Sequence, residues 1–277
     1  MTLKESLYQA HQILLTNNIE YPSLESELLL RQATKLNRVQ LYLELEHELN
    51  PEYEEALWRM LGRRLKGEPT AYIKGHREFY GYDFYVNHNV LIPRPESELL
   101  VEKLLDLAQN YRAPVITDIG TGCGAIAISL SLKLTQTKIY ATDISLPALE
   151  VALANCQKYD VVDRICLLHG DMLEPLPEPA DIIAANMPYV KQSEINIESF
   201  EPVLALNGGI DGLEKIRHLC HQAASKLRPR GCLIMEIGQG QKRAVTTLLH
   251  SLYPSAGIEI FPDLGGIDRV VTLTLSE

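Results

Sequence analysis

From residue 115 onward, short runs rich in β-branched residues alternate with stretches of helical period, and this alternation limits the fold more than any other feature of the chain. Strands are predicted at 115–119, 138–142, 165–168, 181–185, 232–237, 258–261 and 269–275. Helices are predicted between them at about 124–134, 145–158, 211–227 and 240–252. Parallel strands need long crossovers, and helices supply them, so the pattern predicts an α/β fold with a mainly parallel sheet covered on both faces. Residues 262–268, between the last two strands, are too few for a crossover helix, so one of those strands is expected to run antiparallel.

The first 70 or so residues have a different period. Leu7, Ala10, Ile13 and Leu14, then Leu24, Leu28, Leu29 and Leu30, then Leu57, Leu61 and Leu65 recur at helical spacing. Pro22-Ser23 and Asn50-Pro51 open two of these helices, and Gly67-Glu68-Pro69 ends a small unit of about four. Phe79, Tyr80, Tyr82, Phe84 and Tyr85 around Gly81 predict a β-hairpin. Pro93-Arg94-Pro95-Glu96 then leads into a leucine-rich helix. The expected division is a helical domain over 1–71, a hairpin and linker over 72–95, and the α/β domain over 96–277.

Charge and cysteine usage narrow the partners. The chain has 277 residues, with 26 Lys and Arg against 36 Asp and Glu, a net charge of −10. Phosphate backbones are repelled by such a surface, and no Lys/Arg stripe offsets it, so stable nucleic-acid binding is not expected. The five cysteines are scattered with no C-x-x-C pair, as reduced thiols of a cytoplasmic protein would be. His218, Cys220 and His221 are close in sequence, but Cys220 falls off the shared helix face and no fourth ligand is near, so no metal site is expected. No signal-peptide core and no apolar run of about 18 residues is present, so no membrane attachment is expected.

The first strand of the α/β region runs into Asp118-Ile119-Gly120-Thr121-Gly122-Cys123-Gly124-Ala125. Glycines at a strand C-terminus let the backbone turn tightly and approach a nucleoside closely. Asp143 closes the second strand, 23 residues after Gly120, where a carboxylate accepts hydrogen bonds from both ribose hydroxyls. Gly120, Gly122 and Ala125 also satisfy a dinucleotide pattern, which leaves an oxidoreductase or a non-catalytic nucleotide-binding module open. The acid at 118 and an antiparallel final strand favour S-adenosylmethionine, whose cationic sulfonium suits an acidic loop better than a pyrophosphate does. Asp171, with Met172 beside it, is placed to meet an adenine amino group and ring.

Asn186-Met187-Pro188-Tyr189 ends the fourth strand. The Asn186 side-chain oxygen and the carbonyl of Met187 form a clamp that accepts both hydrogens of a planar –NH₂ group, rigidified by Pro188 and with Tyr189 expected to stack on its face. Such acceptors return electron density to an otherwise poor nitrogen nucleophile and align it for in-line attack on a methyl carbon. A side-chain amide fits this clamp, and so does adenine N6 in DNA or RNA, although that acceptor must be extruded and its phosphates held.

These residues resemble those of the N-x-P-Y amino-methyltransferases. Arg77-Glu78-Phe79-Tyr80-Gly81, Leu91-Ile92-Pro93-Arg94-Pro95-Glu96, the glycine loop, and Glu201-Pro202 through Leu206, Gly208-Gly209 and Asp211-Gly212 resemble the HemK/PrmC family over nearly the whole chain. The resemblance implies a seven-stranded class I methyltransferase fold behind a helical domain that recognises a peptide-chain release factor. It implies transfer of methyl from S-adenosyl-L-methionine to the N5 amide of the Gly-Gly-Gln glutamine, leaving S-adenosyl-L-homocysteine. It assigns Gly120, Thr121, Gly122, Cys123 and Gly124 to the methionine part of the cofactor, Asp143 to the ribose, and Asp171 and Met172 to the adenine. Asn186, Met187, Pro188 and Tyr189 are assigned to the glutamine amide, with Asn186 also beside the cofactor. Met187 stands where the family usually has Pro.

Overall fold

The first helix begins where the sequence supplies a cap: Thr2 Oγ1 accepts from the Glu5 amide, and Glu5 Oε2 accepts from the Thr2 amide. A computed structural model describes residues 1–196 and 199–276. It divides into two units, Met1–His76 and the chain from Arg77 on. The first unit holds α1 (Leu3–Thr16), α2 (Pro22–Thr34), α3 (Arg38–Leu43), α4 (Pro51–Leu65) and α5 (Thr70–Lys74). Pro22 and Pro51 stand in the first turns of α2 and α4, where a missing N–H costs nothing. Ala10, Leu14, Leu29, Leu30 and Leu57 are completely buried and form its core, with Trp58 half-buried against it.

Two details depart from the sequence reading. Leu24 and Leu65, read as part of the apolar stripe, are exposed. The unit has five helices, because α3 and α5 are too short to show a period; α5 lies beyond Gly67-Glu68-Pro69 and buries Tyr72 and Ile73.

The second unit is built on a hairpin and a seven-stranded sheet. In the hairpin, β1 (His76–Phe79) and β2 (Tyr82–Tyr85) are joined by Tyr80 and Gly81, both at positive φ, as the tight hairpin turn requires. A 3-10 turn, Pro95–Ser97, leads into α6 (Glu98–Ala108). Then follow β3 (Val115–Ile119), α7 (Ala125–Lys133), β4 (Lys138–Asp143), α8 (Leu146–Lys158), β5 (Ile165–His169), β6 (Ala180–Ala185) and the one-turn α9 (Val203–Leu206). The remainder is α10 (Glu214–Lys226), β7 (Leu227–Glu236), α11 (Lys242–Leu252), β8 (Gly257–Pro262) and β9 (Asp268–Thr274). Among the described residues no helix is long and apolar enough to cross a membrane.

The strand order is β5-β4-β3-β6-β7-β9-β8. Pairing is parallel from β5 through β7, and β9 is antiparallel to both of its neighbours, so only the final strand is reversed. Strands 115–119 and 180–185 are buried at almost every position, as strands covered on both faces must be. The chain winds outward from β3 to β5 and then returns to β6, which makes the β3–β6 boundary a topological switch point, where open α/β sheets bind ligands beyond the strand C-termini. Register places the site residues there: Ile119 pairs with Thr142 on one side and Ala185 on the other, so Gly120 emerges between Asp143 and Asn186.

Candidate active site

A cleft of about 860 Å³, including its open mouth, lies over this switch point. Its floor and one wall are Gly120 and Gly122 after β3, Asp143 at the end of β4, Asp171 and Met172 after β5, and Asn186, Met187 and Pro188 after β6. Asn89, Val90 and Leu91 close one side, and Pro202, Leu204 and Ala205 another, with Lys215 reaching in from α10. Eight of the twelve residues expected at a site thus share one cleft.

The other four do not line it. Thr121 turns its hydroxyl inward to Asp118 Oδ2 at 2.7 Å. Cys123 is buried, its carbonyl accepts from Asn155 Nδ2, and burial pushes its thiol up to about 12, so the thiol is neutral at physiological pH. Gly124 stands at the start of α7, where a Cβ would meet Ile128 Cδ1 at 3.0 Å and Ala152 Cβ at 3.5 Å; it serves the contact between α7 and α8. Tyr189, expected to stack over an acceptor, is not among the residues lining the cleft. Its hydroxyl donates to Glu236 Oε1 at 3.1 Å, and its ring edge lies 3.0 Å from where a Cβ on Gly238 would be. The reason is polar satisfaction: a half-buried phenol finds a partner in the buried Glu236 carboxylate.

Two carboxylates sit under the glycine turn. Asp143 Oδ2 accepts from the Gly122 amide and Oδ1 from the Ser145 amide, both at 2.9 Å. Burial raises its pKa, against the pull of those amides. Asp118 is fully buried and pushed up to about 7, chiefly by desolvation, while the Thr121 hydroxyl and Ala127 amide favour its charged form. Its Oδ1 has no hydrogen-bond partner among the described residues. The hairpin is tied to the same turn: Asn155 Oδ1 accepts from the Tyr85 amide and its Nδ2 donates to the carbonyls of Tyr85 and Cys123.

The second glycine-rich segment, Gly208 to Gly212, runs up to α10. α10 begins at Glu214, after Leu213, with no side-chain cap. Asp211 instead accepts from the Leu213 amide and pairs with Arg217, while Glu214 Oε1 accepts from the Ile210 amide. A Cβ on Gly208 would lie 2.8 Å from both Pro188 O and Tyr189 Cα, and one on Gly212 would lie 2.5 Å from Tyr189 O. This loop therefore backs the 186–189 segment. Gln241 completes the backing, donating to the Tyr189 and Gly212 carbonyls at 3.0 and 3.2 Å.

Several residues beyond the expected set shape the site. Arg94 Nη2 lies 2.5 Å from Glu201 Oε2, and Glu201 Oε1 accepts from the Ile92 amide, which ties the segment before Pro202 to the strand-to-helix connection. Asn186 Nδ2 donates to Ser97 Oγ at 2.9 Å, and Ser97 Oγ lies 2.5 Å from Glu236 Oε2. The signal for Glu236 was its place as the one acid in the apolar run 232–237. Nothing in the sequence pointed to Ser97, Gln241 or Lys215.

Known proteins agree with this architecture. A family profile described as PrmC N-terminal domain matches residues 5–75, and one described as Methyltransferase small domain matches 95–206. A protein named release factor glutamine methyltransferase from Moorella thermoacetica is 41% identical over 97% of this chain and 97% of its own length. Another of that name from Neisseria gonorrhoeae is 41% identical over 90% of this chain and 92% of its own. Among solved structures, a methyltransferase from Pyrococcus furiosus is similar in fold, with a TM-score of 0.54, 15% identity, and coverage of 72% of this chain and 91% of that one. With two relatives at this identity over almost the full length, and with a seven-stranded sheet whose last strand is reversed, the chain belongs to the release factor glutamine methyltransferase family.

Proposed function

We propose that this chain methylates the N5 side-chain amide of the glutamine in the Gly-Gly-Gln motif of a peptide-chain release factor, using S-adenosylmethionine. The observation that carries the reading is Asn186: it stands on the cleft beside Gly120, with Nδ2 engaged by Ser97 and Oδ1 left as an acceptor.

The cleft residues fit the methyl donor. A Cβ at Gly120 would project to 3.9 Å from Met187 Sδ, so the absence of a side chain keeps that stretch of the cleft open. Asp143 is placed as an acceptor for a ribose hydroxyl, and Asp171 and Met172 provide an acceptor and an apolar surface for adenine. S-adenosylmethionine bound there supplies a sulfonium-activated methyl group and leaves as S-adenosylhomocysteine. Asn186 Oδ1 and the Met187 carbonyl accept the two hydrogens of the glutamine amide, hold its nitrogen in line, and oppose delocalisation of its lone pair. The methylated nitrogen, once positively charged, gives its extra proton to water, so no strong base is assigned. The helical unit, residues 1–71 in the sequence division, recognises the body of the release factor, and the proposed compartment is the cytoplasm.

Transfer of labelled methyl to purified release factor, beside a Gln→Ala variant of its Gly-Gly-Gln loop and duplex DNA, tests the reading. Label on the unaltered factor alone is expected. Label on DNA alone overturns it in favour of adenine N6, a reading the net charge of −10 opposes.

A further inference from the structure

We infer that Ser97 and Glu236 are positioning residues that fix which way the Asn186 side-chain amide faces, and so which of its atoms meets the substrate. The inference rests on the proposed role of Asn186 as an acceptor for the glutamine amide.

The two parallel strands bring these groups together. Ala185 of β6 pairs with Met235 of β7, so Asn186 and Glu236 leave the sheet side by side. Glu236 is 1% exposed and Ser97 4%. Burial raises the Glu236 pKa, against the Ser97 and Tyr189 hydroxyls and the Arg269 charge, which favour its charged form; in that form the carboxylate only accepts hydrogen bonds, so the single hydrogen of the Ser97 hydroxyl is committed to Glu236 Oε2 at 2.5 Å. The Ser97 oxygen is then left as an acceptor, and the Asn186 atom that satisfies it is Nδ2, at 2.9 Å. The sense of the chain is thereby set from Glu236 outward, and Oδ1 is the atom left for a ligand. An Asn186 amide turned by half a rotation would present –NH₂ to the –NH₂ of a glutamine, two donors facing each other. The second oxygen of Glu236 takes the Tyr189 hydroxyl, so one carboxylate restrains both ends of the 186–189 segment.

Two features show that this arrangement is not what local structure would produce unaided. Ser97 stands directly before α6, where a serine hydroxyl ordinarily caps the first turn, yet it makes no side-chain cap. Glu236 is the last residue of a strand otherwise apolar from Cys232, and a buried carboxylate there is costly unless its oxygens are occupied.

The test compares Ser97→Ala, Ser97→Thr and Glu236→Gln with the unaltered enzyme, measuring kcat, KM for the release factor, Kd for S-adenosylmethionine and the thermal midpoint. Ser97→Ala is expected to lower kcat by roughly ten- to a hundredfold with cofactor Kd nearly unchanged, and Ser97→Thr, which restores the hydroxyl, to recover most of the loss. Glu236→Gln keeps the shape and can turn its –NH₂ toward either Ser97 or Tyr189, so its fall in kcat is expected to be smaller than that of Ser97→Ala. Because Ser97 acts through Asn186, Ser97→Ala combined with Asn186→Ala should be no slower than Asn186→Ala alone. A Ser97→Ala enzyme with full kcat, while Asn186→Ala is inactive, overturns the inference and leaves the proposed function standing. An Asn186→Ala enzyme at full rate overturns the proposed role of Asn186, and the inference with it.

Discussion

The two glycine-rich turns, 120–124 and 208–212, have similar composition and opposite surroundings. In the first, Gly120 and Gly122 face the cleft, and a side chain at 120 would stand in space that a ligand can fill. In the second, the missing side chains make room for the protein itself, since any Cβ at Gly208 or Gly212 would collide with the backbone of Pro188 or Tyr189. One turn leaves room in the cleft; the other presses the 186–189 segment into place from behind. Gly124 shows that the distinction holds residue by residue, because it lies in the first turn yet serves helix packing. A glycine marks a close approach, and only the fold says what approaches.

The largest expected effect falls on the residue between the two turns. Asn186→Ala should lower kcat by about a hundred- to a thousandfold while changing S-adenosylmethionine affinity far less, as steady-state rates and calorimetric titration would show. Gly212→Ala forces strain at φ +76° and a clash with the Tyr189 carbonyl, so it should lower kcat by about tenfold or more with cofactor Kd retained. Gly120→Ala should instead weaken cofactor binding. If both variants lose the same quantity, the two turns are not divided as described.

A smaller effect is expected at Gly124→Ala, with φ +82° and Ile128 in contact. Folding stability should fall by about 2 kcal/mol in denaturant titration, with turnover per folded molecule little changed. The smallest change per measurement concerns Asp118, buried beneath the first turn. Its folded-state pKa is raised to about 7 from an ordinary 3.8, so the folded protein holds the proton more tightly than the unfolded chain does. The resulting stabilisation is full below about pH 4 and is lost as pH rises toward 7, by at most about 1.4 kcal/mol per pH unit. Thermal midpoints of the unaltered protein and Asp118→Asn across that range should converge or cross as pH rises; parallel curves would contradict the sign.

Much of the α/β region was legible because its elements are long and periodic, and all seven expected strands form with ends shifted by a residue or two except at β7, which begins at Leu227. The short helices α3 and α5 were not, since five or six residues carry no period. The meeting of Gly120, Asp143 and Asn186 was legible for a topological reason: each ends a parallel strand, and adjacent parallel strands end together. The support behind them was not. Ser97 reaches Asn186 across 89 residues and Glu236 across 139, joined by hydrogen bonds that leave no spacing in the chain. The partner of Tyr189 is hidden for the same reason, since Glu236 lies 47 residues away.

The most direct measurement is the position of the methyl group after reaction. Tandem mass spectrometry of a release factor incubated with this enzyme and S-adenosylmethionine should find a single methyl on the side-chain nitrogen of the Gly-Gly-Gln glutamine. A methyl on any other residue, or an unmodified glutamine in a factor that the enzyme demonstrably binds, would contradict the account.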